Sequence, residues 1–260
     1  MIEYTEIERF LRVGDWLAKR GWAEANAGNM SIRLEPDQIP SLESTPEEFE
    51  MEHPFPALDG VFFLVTATHS RARDISMSPG ETLGLLEIAE GGTRYRCHWG
   101  VAPPTSEFPA HLAIHGMCLE GRPDMKAILH THPPYLVAMS QMEDFQKPGD
   151  LSRALMRMHP EVGILVPDGI AHMDYEIPGT LELGVATRDA LFDCNVAVWP
   201  MHGVVSLAPD LEKALDQVEI VEKAARIYMT ILATGRKPVG LTDEQIRKSR
   251  ERWGIKGGPG

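Results

Sequence analysis

The chain has 260 residues, 43% of them hydrophobic, and its 38 acidic side chains against 25 basic ones give a net charge of −13. That length and apolar content suffice for a substantial core, while the acidic balance argues against a broad nucleic-acid surface, which is built from clustered Lys and Arg. The longest apolar stretches, such as 61–65 and 164–166, are strand-sized and far short of the roughly 18–20 residues that span a bilayer, so no membrane span is expected.

In chain order, the opening Met1-Ile2-Glu3-Tyr4-Thr5-Glu6 is acidic where a secretory signal would be positive, and a cytoplasmic protein is the expectation. Over residues 4–20, Ile7, Phe10, Leu11, Val13, Trp16 and Leu17 recur at helical spacing between charged residues, which predicts an amphipathic helix. A turn-rich Asn26-Ala27-Gly28-Asn29 follows, then an alternating strand over 30–34. Residues 35–60 break the regularity with five prolines, eight acidic residues and no Lys or Arg, and read as a surface excursion. Strands resume over 61–66, 82–89 and 93–99, with connections short enough for an antiparallel meander.

Beyond Pro103-Pro104-Thr105-Ser106-Glu107, a helix runs to about Leu119; Pro109 suits its first turn, so Glu107 should sit at its N-terminus. An apolar strand then ends in His130-Thr131-His132, where Pro133 and Pro134 stop it. A helix is expected over 133–142, a strand over 162–166 before a Pro167-Asp168-Gly169 turn, and a helix after Pro178-Gly179-Thr180. The strand Val196–Trp199 leads into Pro200-Met201-His202-Gly203. Two helices close the chain, one from about Asp210 to Gly235 and one opened by the capping box Thr242-x-x-Gln245. Cys97, Cys118 and Cys194 are widely spaced and form no Cys-x-x-Cys pair, which reads as buried free thiols.

In a strand, residues i and i+2 project from one face about 6.5–7 Å apart, so the imidazoles of His130 and His132 can converge on one ion. His202, just past another apolar strand, offers a third ligand, and three imidazoles with an open fourth position are the donor set of a catalytic zinc. Taken singly, each signal has a plainer reading: His-x-His pairs are common, an acidic residue at a helix start favours the dipole, and Asn26–Asn29 can be an ordinary turn. Beside a divalent ion, however, Glu107 can take a proton from carbon next to a polarised carbonyl, and amides with backbone N–H groups hold phosphate.

The motifs Asn26-Ala27-Gly28-Asn29-x-Ser31, Pro104-Thr105-Ser106-Glu107-Phe108-Pro109-Ala110-His111, His130-Thr131-His132, Val166-Pro167-Asp168-Gly169, Pro178-Gly179-Thr180 and Trp199-Pro200-Met201-His202-Gly203 occur in the order seen in class II sugar-phosphate aldolases, which the chain resembles over nearly its whole length. The resemblance implies a single α/β domain over 1–260 with a central, largely antiparallel sheet sandwiched by helices, the fold shared by class II aldolases, epimerases and adducin heads. It also implies a homotetramer with active sites between subunits. His130, His132 and His202 would hold one zinc ion per subunit, and Glu107 would act as base. Glu161 would reach a neighbour's site to handle a proton on the aldehyde side. Asn26, Gly28, Asn29, Thr68, Thr105 and Ser106 would bind the substrate phosphate. The implied reaction is reversible cleavage of a ketose 1-phosphate to dihydroxyacetone phosphate and an aldehyde, with no Schiff-base lysine.

One departure concerns the phosphate site. Where the family usually carries a Gly-Ser-Gly turn, this chain has Thr66-Ala67-Thr68-His69-Ser70, and losing glycine restricts the backbone. Among rival activities, the 4-epimerase branch typically carries Asp where this chain has Glu107, and a sugar-phosphate dehydratase shares the metal triad. A non-catalytic adducin-like scaffold would not be expected to retain the three histidines.

Overall fold

The computed structural model describes residues 4–39 and 45–255; residues 1–3 of the acidic start, 40–44 within the 35–60 excursion, and 256–260 lie outside the described residues. The elements run α1 (Tyr4–Arg20), β1 (Asn29–Arg33), β2 (Glu47–Glu50), β3 (Phe62–Thr66), α2 (Pro79–Thr82), β4 (Leu83–Ala89), β5 (Arg94–Gly100), α3 (Phe108–Gly121), β6 (Ala127–Thr131) and α4 (Pro134–Ser140). They continue with α5 (Asp150–Met158), α6 (Val162–Leu165), β7 (Ile170–His172), α7 (Leu181–Ala190), β8 (Val196–Trp199), β9 (Gly203–Ala208), α8 (Leu211–Leu232) and α9 (Asp243–Arg252). Among the described residues the strands form one nine-stranded sheet in the order β2-β5-β4-β3-β1-β6-β9-β8-β7, antiparallel at every pairing except β7 with β8.

The pleat of the central strands sorts their side chains between two helical layers. Met30 and Ile32 of β1, Ala127 and Leu129 of β6, and Val204 of β9 pack with Phe10, Val13 and Leu17 of α1 and with the apolar stripe of α8. On the opposite face, Ile128 of β6 and Val205 and Leu207 of β9 pack against Ile114 and Cys118 of α3 and Leu183 of α7. Phe63 and Val65 of β3 extend that second layer against Phe108 and Leu112 of α3. The odd-numbered residues of β1 and the even-numbered residues of β6 therefore look toward α3, and four of them are polar: Asn29, Ser31, Arg33 and His130. This buried polar stripe is what positions the site.

The structure differs from the sequence reading at several elements. Residues 162–166 are not a strand: Val162–Leu165 is a single helical turn, closed by Leu165 N–H donating to the Glu161 carbonyl at 2.8 Å and Val166 N–H to Val162 at 2.9 Å. A five-residue run is too short to show the period that distinguishes strand from helix. Here the turn lies against Ile246 and Arg250 of α9, and the edge position in the sheet goes to β7 after the 166–169 turn. The 35–60 excursion contributes β2, which pairs with β5 through the register Glu47–Cys97 to Glu50–Arg94. Opposite-charge pairs such as Arg96 Nε to Glu48 at 2.6 Å hold an edge strand whose own sequence is mostly acidic.

Pro133 and Pro134 do end the strand, but they also leave a cost. Tyr135 and Leu136 are the first residues of α4 able to donate, and no local side chain caps them. Glu222 reaches in from α8 instead, accepting from Tyr135 N–H at 3.0 Å and Leu136 N–H at 2.8 Å. The turn that follows the two histidines is thus fixed from a helix some 86 residues away.

Candidate metal centre

His130 is the fourth residue of β6 and almost wholly buried, with Nδ1 3.1 Å from the Val204 carbonyl. A carbonyl only accepts, so Nδ1 carries the hydrogen and Nε2 presents a lone pair. His132 lies just past the strand, its Nδ1 2.9 Å from a Glu24 carboxylate oxygen, so Nδ1 carries a hydrogen here too and Nε2 turns inward. The Trp22 carbonyl pins this strand end by accepting His132 N–H at 2.8 Å and the Thr131 hydroxyl at 2.7 Å. The two Nε2 atoms are 3.1 Å apart. At that distance the two nitrogens are held either by one shared hydrogen or by a cation between them.

His202 completes the group from the β8–β9 turn, where its N–H donates to Trp199 O at 3.1 Å and Met201 takes a left-handed φ of 61°. The three rings stand 4.9–5.0 Å apart by centroid, and their ligand atoms lie within 4.8 Å of one another. Tetrahedral bonds of about 2.0–2.1 Å would set ligand nitrogens about 3.3 Å apart, close to the His130–His132 spacing. The imidazoles thus fit a divalent ion in number, donor type and direction. Trp199 lies against the rings of His130 and His202 and is fixed by its indole N–H donating to Thr187 Oγ1 at 2.9 Å. Gly203 is required by close approach: a Cβ there would fall 2.6 Å from the Thr131 carbonyl, 2.8 Å from His132 Cδ2 and 2.9 Å from His130 Cε1.

Burial pushes His130 well below the usual imidazole range, and the neighbouring His132 and His202 push it further in the same direction. Burial also lowers His202, against the pull of Glu107. A neutral, lone-pair-bearing imidazole is the form that ligates a metal.

Glu107 occupies the N-cap position of α3, yet its side chain caps no helix N–H. It turns into the site instead, with Oε2 3.5 Å from His130 Nε2 and Oε1 3.9 Å from His202 Nε2. Oε2 also accepts from Asn29 Nδ2 at 2.7 Å. Glu107 is buried, 7% exposed. It is close enough to the imidazoles to exchange protons with a molecule held there.

The residues expected to hold phosphate are brought partly together. Thr68 N–H donates to the Pro103 carbonyl at 3.0 Å and Thr105 N–H to the Thr66 carbonyl at 2.9 Å, so the 66–70 turn and the 103–106 segment run side by side. Gly28, with φ of 74°, lies close over the His130 carbonyl, and Asn29 pairs with His130 in the sheet. Thr105 and Gly28 are half-buried, and Ser106 and Asn26 exposed. At the departure from glycine, His69 adopts a φ of 61°, so the turn keeps a left-handed residue without glycine; histidine is among the side chains that tolerate this region. Glu161 does not join this group. Its carboxylate sits 2.5 Å from His159 Nδ1 beside the α6 turn.

Sequence reasoning missed the support around the centre: Glu24, Trp199, and the polar group formed by Ser31, His111 and His115. The last was legible in principle, since Glu107, His111 and His115 recur every fourth residue on one helix face and Asn29 and Ser31 alternate on one strand face. What sequence could not supply is that these two faces meet.

The profile of the Class II Aldolase and Adducin N-terminal domain matches residues 8–229. A rhamnulose-1-phosphate aldolase from Bacteroides thetaiotaomicron is 32% identical over 247 residues, 94% of this chain and 92% of that protein. Among solved structures, a sugar-phosphate aldolase from Thermotoga maritima superposes with a TM-score of 0.82 at 39% identity, over 91% of this chain and 98% of its own. An L-fuculose 1-phosphate aldolase, 21% identical, shares the fold with a TM-score of 0.68 over 98% of this chain and 99% of its own.

Proposed function

The chain belongs to the class II aldolase family and is a carbon–carbon lyase, and from that premise we propose that it reversibly cleaves L-rhamnulose 1-phosphate to dihydroxyacetone phosphate and L-lactaldehyde. The observation that carries the chemistry is the convergence of the three imidazoles, with ligand atoms within 4.8 Å of one another, and the Glu107 carboxylate 3.5 Å from His130 Nε2. The choice of sugar rests on the similarity to the rhamnulose-1-phosphate aldolase.

His130, His132 and His202 would hold one zinc ion per subunit. When bound, the ion supplies Lewis-acid polarisation of the substrate carbonyl and stabilises the negative charge that develops when the carbon–carbon bond breaks. The chain's own residues handle the protons. In the cleavage direction, Glu161 of a neighbouring subunit takes the proton from the hydroxyl on the aldehyde side, and the bond between C3 and C4 breaks. The released electron pair is delocalised into the adjacent carbonyl, Glu107 delivers to C3 a proton it has first taken up from solvent, and Glu161 returns the hydroxyl proton to solvent. In synthesis Glu107 takes that proton away, which a carboxylate held by Asn29 beside the imidazoles is placed to do. Gly28, Asn29, Thr68, Thr105, Ser106 and Asn26 would receive the phosphate through neutral donors, which is compatible with an acidic chain. The working form is a homotetramer in the cytoplasm, with each site completed across an interface.

Among the described residues no helix is long and apolar enough to cross a membrane. The test of the reading is an aldol assay with dihydroxyacetone phosphate and a panel of aldehydes, with and without a chelator. Ketose 1-phosphate formed with L-lactaldehyde and abolished by chelation supports it; product from another aldehyde only would reassign the substrate. Epimerisation of a pentulose phosphate or loss of water from a ketose phosphate, without carbon–carbon cleavage, would overturn the lyase.

A further inference from the structure

Behind Glu107 lies an unbroken series of buried hydrogen bonds that the reaction as described does not use. Asn29 Nδ2 donates to Glu107 Oε2 at 2.7 Å, Asn29 Oδ1 lies 2.6 Å from His111 Nε2, His111 Nδ1 lies 2.7 Å from Ser31 Oγ, and Ser31 Oγ lies 2.9 Å from His115 Nε2. All five residues are at most 7% exposed, and His115 Nδ1, at the far end, is buried with no hydrogen-bond partner.

The two ends of this series fix the direction of every hydrogen in it. At the near end an ionised carboxylate only accepts, so Asn29 must present its NH2 to Glu107 and its carbonyl to His111. His111 then carries its hydrogen on Nε2 and accepts on Nδ1 from the Ser31 hydroxyl. Ser31 in turn accepts from His115 Nε2–H, and the atom left over is a bare acceptor, His115 Nδ1. Reversing every bond would turn the Asn29 carbonyl onto the carboxylate and strand a buried N–H at His115, and orphaned buried donors are rarer than orphaned acceptors. Both ends therefore select the same arrangement. Burial keeps the two imidazoles neutral, lowering His111 to about 4 and His115 well below its usual value, as the tautomers require. The series stops at a partnerless atom, so it has no exit for a proton and acts as a brace rather than a relay.

We infer that His111, locked by Ser31 and His115 as the Nε2–H tautomer, is a positioning residue that holds the Asn29 amide in one orientation and through it aims the Glu107 carboxylate. Without it the Asn29 amide is free to rotate, and the carboxylate loses the donor that fixes Oε2. The catalytic part of the inference rests on the proposal that Glu107 is the base; the tautomer pattern does not.

Nitrogen-15 histidine spectra of the zinc-loaded protein at neutral pH test the pattern directly, with signals assigned through His111→Gln and His115→Gln. His111 and His115 should both show a protonated Nε2 and a bare Nδ1; a protonated Nδ1 on either, or an imidazolium, overturns the inference. For function, the rate at which the protein exchanges a carbon-bound proton of dihydroxyacetone phosphate into heavy water is compared in two variants. His111→Gln retains a donor toward Asn29 and an acceptor toward Ser31, and should stay within a few-fold of wild type. His111→Phe fills the space without donating, and should fall about 10- to 100-fold with zinc content unchanged, the scale of a small misplacement of a reacting group. Equal losses in both variants, or no loss in His111→Phe while Glu107→Gln is inactive, overturn the positioning role. Undiminished exchange in Glu107→Gln would instead remove Glu107 as the base and the catalytic part of the inference with it, leaving the spectra to judge the brace.

Discussion

The Nε2 atoms of His130 and His132 face each other at 3.1 Å while their Nδ1 atoms are committed to the Val204 carbonyl and the Glu24 carboxylate. The outer partners orient the rings so that both Nε2 atoms point into the centre, where a metal ion can bind them.

Replacing any one of His130, His132 or His202 by Ala is expected to abolish both bound zinc and activity. Metal analysis of the purified variants checks this, and full zinc occupancy in a variant would remove that residue from the ligand set.

Gly203→Ala should damage the centre without touching a ligand. Its Cβ would sit 2.6 Å from a backbone oxygen that cannot rotate away, so β9 must shift from the end of β6. The expected costs are about 1–3 kcal/mol of stability and about tenfold or more in zinc affinity. Urea unfolding and competition with a chromophoric chelator measure the two, and wild-type values in both would contradict the packing argument.

Glu222 gives the fold a pH dependence. Burial raises its carboxyl to about 7, outweighing the Tyr135 and Leu136 N–H donors and Arg226, which all lower it. The unfolded chain returns to the ordinary value of 4.5. Between those values the folded form holds more protons, so this group's contribution to stability is present at low pH and is lost as pH rises from about 4.5 through 7. Glu222→Gln removes the titration. The stability of wild type relative to the variant should fall across that window, on the order of 3 kcal/mol at most; a difference that does not change with pH would show that Glu222 does not titrate there.

If each site is shared, inactive Glu107→Gln and Glu161→Gln chains mixed after dissociation should regain part of the activity, because some interfaces then pair an intact Glu107 with an intact Glu161. Recovery absent at every mixing ratio would leave Glu161, which pairs with His159 within its own chain, without a catalytic role.

Much of this was legible in sequence because local rules carried it. The α1 stripe, the Thr242–Gln245 capping box and the strand Val196–Trp199 appear where periodicity and turn chemistry put them. Glu107 sits at the N-cap that Pro109 implied. What failed depended on tertiary context. The 162–166 run is too short for a period, and its helical turn is set by packing against α9. Strand β2 is acidic and gains its place from the arginines of β5. The partners of Asn29 were likewise out of reach: its amide is shared between Glu107 and His111, a contact that exists only because α3 crosses the β1 face.

The most direct test of the account is solvent-proton exchange at dihydroxyacetone phosphate in heavy water, followed by NMR without any aldehyde present. The zinc-loaded protein should exchange one of the two hydrogens on the hydroxymethyl carbon stereospecifically. Chelation should stop the exchange and zinc should restore it, while Glu107→Gln should lack it with zinc fully bound. Exchange that survives chelation, or that persists undiminished in Glu107→Gln, would contradict the assignment of the metal centre and its base.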